Sequence, residues 1–263
     1  TKLGEVYSEL YDNEWTNAFD GLIRSGYDEL EAIQTLKLTL LNIYDFCGKK
    51  AETMLTQTEE AVNCLFKEYK MLTGKKSIRT SYSYTFVALS LLFNFKNARP
   101  HLTVTRNQSR EIRRSLNKLM QEYLLQSKWK PKTPAAAADR KLEPTYDVKI
   151  QPVYVTDKLK KLQKEMSESM VPVVQMAYLE ASWDSGCVEE LKPFIIKCIY
   201  VCWMMVVQNP QMCFFVPKSG TDVNTSMFKT YTRSGKAVDF IVWPVIMLHE
   251  KGSVVCKGVL QPK

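Results

Sequence analysis

One change of rhythm limits what this chain can fold into. Up to Val207 apolar residues recur every three or four positions. Over the last fifty residues they crowd into short β-branched and aromatic runs. The first spacing is that of amphipathic helices, the second that of short strands. Leu3, Val6, Tyr7, Leu10 and Tyr11 predict one helix. Ile33, Leu36, Leu40, Ile43 and Tyr44 predict a second, closed by Gly48 as a C-terminal cap. Thr56 and Glu59 stand at capping-box spacing and predict a third, which buries Val62, Leu65, Phe66 and Tyr69 and stops at Gly74. Residues 83–95 are apolar nearly all round and belong in a core. Thr105 and Gln108 form another capping box. Thr156 is expected to cap a helix through Met170 whose buried line is Leu159, Leu162, Met166 and Met170, with Pro172 kinking or ending it. A last helix, 189–207, is apolar on most faces and ends before Pro210.

Then come "MCFFVP", "TSMFKTYT", "VDFIVWPVIML" and "SVVCKGVL", separated by Gly220, Gly235 and Gly252. The fold class expected is mainly α: a helical bundle with a small β element formed by the C-terminal segments. A Pro/Ala-rich stretch, "KWKPKTPAAAADRKLEP", breaks the helical pattern. It divides the chain into a helical part (1–127), a loop or linker (128–147) and a part with helices and β segments (148–263). The two parts are expected to form one domain. The four alanines between charged flanks have the look of a trimmed loop.

With 263 residues the chain can bury a core without crosslinks. Its formal charge of +8 favours anionic partners. Seven cysteines (47, 64, 187, 198, 202, 213 and 256), scattered among apolar neighbours, read as buried reduced thiols of a reducing compartment. Without a CxxC pair, and with His101 and His249 far apart, no metal site is expected. The longest apolar run, 198–207, is about half of what a bilayer span needs. The chain opens on Thr1 with no signal peptide and reads as a piece of a longer protein.

Catalysis finds little to hold. The dinucleotide fingerprint, the Walker loop, GxSxG and HExxH are all missing. "GKKS" at Gly74 lacks the earlier glycine of a phosphate loop, since Tyr69 stands there. Asp12, Glu14 and Asp20 read as the polar face of a helix, and His249 as a packed or edge residue. The chain is therefore expected not to be an enzyme and to carry no cofactor.

Charge is more informative. In "TRNQSREIRRSLNKLMQEYL", Ile112, Leu116, Leu119, Met120, Tyr123 and Leu124 share one arc, and Arg106, Arg110, Arg113, Arg114 and Lys118 fan across the other. Glu111 is the single acid from 106 to 120, so intrahelical ion pairs do not explain this face. Guanidinium grips phosphate with two prongs, which ammonium cannot do. Past the loop, Lys158, Lys160, Lys161 and Lys164 form a second basic face. Each such side chain contributes about 1 kcal/mol at an anionic membrane, enough for reversible peripheral binding.

The most distinctive segment is "VWPVIMLHEKGSVVCKGVLQPK". It reads as a core-packed hairpin with Trp243 as anchor and with Pro244 tolerated only at an edge or a strand start. This Trp-Pro, apolar strand, Gly turn and Lys-Gly-Val pattern resembles the C-terminal domain of the mitochondria-eating protein (Mieap) family. The opening "LGEVYSELYDNEWTNAF" is compatible with it. The resemblance implies a role in mitochondrial quality control and mitophagy, no enzymatic activity, association with cardiolipin, and a peripheral place in cytoplasm and mitochondrion, at the outer membrane or in the matrix. It assigns no lipid contact residue by residue.

The reading that joins both lines is a lipid-responsive scaffold. Arg106, Arg110, Arg113 and Arg114 would grip phosphate, with Lys118, Lys158, Lys160, Lys161 and Lys164 as an outer field. A protein-interaction or self-association module is the alternative. RNA binding ranks lower, because Trp129 is the one exposed-looking aromatic for stacking.

Overall fold

The computed structural model of the chain describes residues 2–73, 152–183 and 188–263, with side-chain surroundings for 2–61, 156–183 and 188–263. Several expectations lie outside the described residues: the core roles of Val62, Leu65, Phe66 and Tyr69, the stop at Gly74, the helices at 83–95 and 105–124, and the 128–147 loop. Two compact units are formed, one by Thr1–Thr53 with Ser167–Lys263, the other by Met54–Met166. The described residues are mainly helical, with two small three-stranded sheets built from the C-terminal segments.

In the first unit, α1 (Lys2–Leu10) runs through a π-helical turn, Tyr11–Trp15, into α2 (Thr16–Arg24). An unbroken α-helix continuing the line of Tyr7 and Leu10 would turn Glu14 inward. The wider turn instead delivers Trp15 to the core and leaves Glu14 at the margin, its carboxylate 4.0 Å from the Lys197 ammonium. The Thr16 hydroxyl donates to the carbonyl of Tyr11, five residues back.

After a turn with Gly26 at φ +95°, α3 (Glu29–Thr73) begins at a capping box. The Asp28 carboxylate accepts the Glu31 amide at 2.7 Å, and the Glu31 carboxylate accepts the Asp28 amide at 3.2 Å. Gly48 does not end this helix, and Thr56 with Glu59 does not start another. The buried line Ile33, Leu36, Leu40, Ile43, Cys47 and Ala51 carries the helix past Gly48, because burying that face outweighs the glycine's small helical penalty.

Two further corrections concern the later helices. Thr156 is an interior residue of α4 (Pro152–Glu165), and Met170 belongs to α5 (Ser167–Ser182). Pro152 rather than Thr156 occupies the first helical position, where its missing N–H costs nothing. Pro172 stands inside α5 without ending it. The apolar α6 (Leu191–Val206) follows the expected bounds, with Phe194, Cys198, Ile199, Cys202 and Trp203 fully buried.

The strands fall where the short apolar runs placed them: β1 (Cys213–Phe215), β2 (Phe228–Thr230), β3 (Val238–Trp243), β4 (Val245–Met247), β5 (Val254–Cys256) and β6 (Gly258–Pro262). One sheet has the order β1-β4-β5 and is antiparallel; the other has the order β2-β6-β3, with β2 parallel and β3 antiparallel to β6. Only Pro244 separates β3 from β4, and only Lys257 separates β5 from β6. The tail is thus a single hairpin, bent in both strands at the same level, whose two halves serve different sheets. Pro244 occupies the bend, where no ladder N–H is required.

The two faces of the strands feed two cores. Phe214 approaches Tyr7 and Tyr44, with ring centroids 5.8 and 5.2 Å away, while Trp243 stacks on Tyr7 at 4.6 Å. On the other side Phe228, Val238, Ile241, Val245, Met247 and Leu260 form a separate apolar cluster. A buried aromatic such as Trp243 removes about 150–250 Å² from water, worth on the order of 5 kcal/mol before chain entropy is counted.

Candidate functional site

Of the nine basic residues singled out by periodicity, Arg106, Arg110, Arg113, Arg114 and Lys118 lie outside the described residues. Lys158, Lys160, Lys161 and Lys164 all stand on α4, in the second unit. Leu159 and Leu162 are buried, whereas Lys161 and Lys164 are exposed and Lys158 and Lys160 half-buried. One helix therefore puts its leucines inward and leaves ammonium groups at its surface, as the 3.6-residue repeat requires. Lys161 lies 3.9 Å from Glu165, a loose pair between well-exposed side chains that holds neither group firmly. Lys164 also sits in the last turn, where a cation suits the helix dipole. The Thr156 hydroxyl donates to the Glu59 carboxylate at 2.8 Å and ties α4 to α3 within this unit.

No catalytic constellation stands out among the described residues. A groove of about 320 Å³ is lined by Gly4, Glu5, Ser8, Lys229, Cys256 and Lys257. Here the Ser8 hydroxyl meets the Cys256 thiol at 3.2 Å, and Lys257 donates to the Thr225 carbonyl. A second groove, of about 400 Å³, runs past Glu14, Lys192 and Lys197. Neither contains a nucleophile held by a base. The described residues form no metal-binding group of three or more His, Cys, Asp or Glu, and no helix among them is long and apolar enough to cross a membrane. His249 is half-buried in the hairpin turn, with Nδ1 2.8 Å from the Glu250 carbonyl.

Buried thiols behave as core groups. Cys47 and Cys202 donate to the Ile199 and Leu40 carbonyls across α3 and α6, at 4.0 and 3.9 Å. Burial pushes the Cys47 thiol up to about 12, and also raises Cys198 and Cys202, so all three stay protonated and unreactive at neutral pH. Cys213 and Cys256 are only partly buried, so the reading as buried thiols fits Cys47, Cys198 and Cys202 better than these two.

The sequence reading missed the role of Tyr7. Its hydroxyl donates to the Pro244 carbonyl at 2.8 Å while its ring stacks on Trp243, so α1 grips the hairpin at its bend. Burial raises the Tyr7 pKa, and nearby thiols raise it further. Nothing in the spacing could announce this, because Tyr7 looks like one more member of an apolar helical line. The conflict with a side chain at Gly258 was equally hidden: a β-carbon there would meet the Trp243 carbonyl and, at 2.9 Å, the Phe228 ring.

The bend is therefore where the Trp-Pro and Lys-Gly-Val elements of the tail meet, with Gly258 held against the Trp243 and Pro244 backbone. No curated protein and no solved structure matches the chain. The family model described as mitochondria-eating protein matches residues 102–262, more than half of the sequence and including this bend. The chain belongs to the mitochondria-eating protein family.

Proposed function

We propose that this chain is a non-enzymatic, lipid-responsive scaffold domain, a helical bundle that engages cardiolipin or another anionic phospholipid at the mitochondrial surface. Family membership supports the coarser role, in mitochondrial quality control, and the family is not known as one of enzymes. The observation that carries the finer reading is α4, whose Leu159 and Leu162 are buried while Lys161 and Lys164 remain at the surface. A surface of this kind holds a phosphate headgroup by charge alone. At about 1 kcal/mol per side chain, four lysines supply at most about 4 kcal/mol, which suits peripheral and reversible attachment. The arginines at 106, 110, 113 and 114 would add bidentate phosphate contacts.

Co-sedimentation with phosphatidylcholine vesicles, with and without cardiolipin, tests this reading. Binding should require cardiolipin, weaken steeply with salt, and fall at least about tenfold when Lys160, Lys161 and Lys164 are changed to Glu. Changing Arg110, Arg113 and Arg114 to Glu should have at least as large an effect. Equal binding to neutral vesicles would remove the proposal.

A further inference from the structure

The first unit is electrically lopsided. Residues 1–31 carry eight carboxylates against two basic side chains, a net of −6, and residues 208–263 carry seven basic side chains against three carboxylates, a net of +4. Glu5, Glu9, Asp12 and Asp20 are all exposed and follow one another along α1, the π turn and α2 at spacings that keep them on one side. Lys229, on β2, and Arg233 and Lys236, in the β2–β3 loop, are exposed as well. None of these seven makes an ion pair among the described residues.

The two surfaces also adjoin. Glu5 shares a groove with Lys229 and Lys257, and Tyr231, just after β2, lies close enough to Glu29 at the start of α3 to feel its charge. Opposite patches side by side on one face are complementary to themselves: a two-fold rotation lays each acidic patch on its copy's basic patch. A simple polyanion is a poorer fit, since the neighbouring carboxylates repel it.

We infer that two copies of this chain associate about a two-fold axis, the acidic side of α1 and α2 facing the basic β2 edge and β2–β3 loop of the other copy. The contact is electrostatic, so it strengthens as salt is lowered. It does not depend on lipid or on the lipid reading above.

Sedimentation equilibrium of the whole 263-residue chain, without vesicles, tests it. The wild type should form a dimer whose Kd rises at least about tenfold between 0.1 and 1 M salt, as the screening length drops from about 10 to about 3 Å. A chain with Glu9, Asp12 and Asp20 changed to Lys should be monomeric, and so should one with Lys229, Arg233 and Lys236 changed to Glu. Mixed together, the two variants should pair, because each then supplies the charge that the other lacks. That recovery also shows that both variants are folded. A wild type that is monomeric in 0.1 M salt, association unmoved by either reversal, no pairing on mixing, or growth beyond a dimer would each overturn the inference.

Discussion

The long helix α3 and the C-terminal hairpin use glycine in opposite ways. Gly48 lies inside α3 with no atom within 4 Å of where a β-carbon would stand, so the position tolerates glycine without needing it. Gly258 opens β6 against the Trp243 carbonyl and has no room for anything larger. The helix is held by what its buried face packs against, and a local weak point inside it changes little. The hairpin is held by backbone passing close to backbone, where one methyl group is too many. A residue's meaning is thus set by its neighbours in space, and only sometimes by its neighbours in sequence.

The contrast is open to measurement. Gly258→Ala should cost about 3 kcal/mol or more in a urea titration, since neither the Trp243 carbonyl nor the Phe228 ring can move without disturbing the bend. A loss below 1 kcal/mol would mean that the bend has slack, and the distinction between the two regions would collapse. The next effect in size concerns Cys47, the neighbour of Gly48 on α3. Its thiol is raised from 9.0 to about 12, so the fold retains a proton that the unfolded chain releases. The stabilisation is complete below pH 9 and is lost as the pH rises towards 12, at up to about 1.4 kcal/mol per pH unit for that one group. Chemical denaturation at pH 8, 9 and 10 should show the fall, and Cys47→Ala should make it shallower. An unchanged slope in that variant would show that Cys47 ionises freely in the folded chain. The smallest effect is expected at Gly48 itself: Gly48→Ala should stabilise the chain by about 0.5–1 kcal/mol, by removing conformational freedom from the unfolded state. A destabilised variant would mean that the helix depends on glycine there after all.

These particulars also explain which parts of the fold could be read in advance. Strands β1 to β6 were legible because short apolar runs between glycines leave few alternatives, and α6 was legible because a nearly all-apolar segment has to be buried. Helix boundaries were less so. Asp28 with Glu31 and Thr56 with Glu59 have the same spacing, yet only the first pair caps a helix. The first follows Gly26 and a real turn. In the second, Glu59 spends its carboxylate on Thr156, ninety-seven residues away in sequence. Local pattern cannot see such a partner. The π turn was invisible for a related reason: it exists to bring Trp15 into a core that α6 and the hairpin complete. For the candidate site, the inward leucines and outward lysines of α4 followed from periodicity, whereas the adjoining acidic and basic patches required the tertiary fold.

The position of β6 has one more consequence. It comes after every other strand in chain order, yet it lies between β2 and β3, which do not pair with each other. As the polypeptide leaves the ribosome, both of those segments must wait without a neighbour until residues 258–262 arrive to join them. Half of the described β structure consequently waits for residues 258–262, by strand order alone, whereas α1, α2 and the first turns of α3 can form long before it.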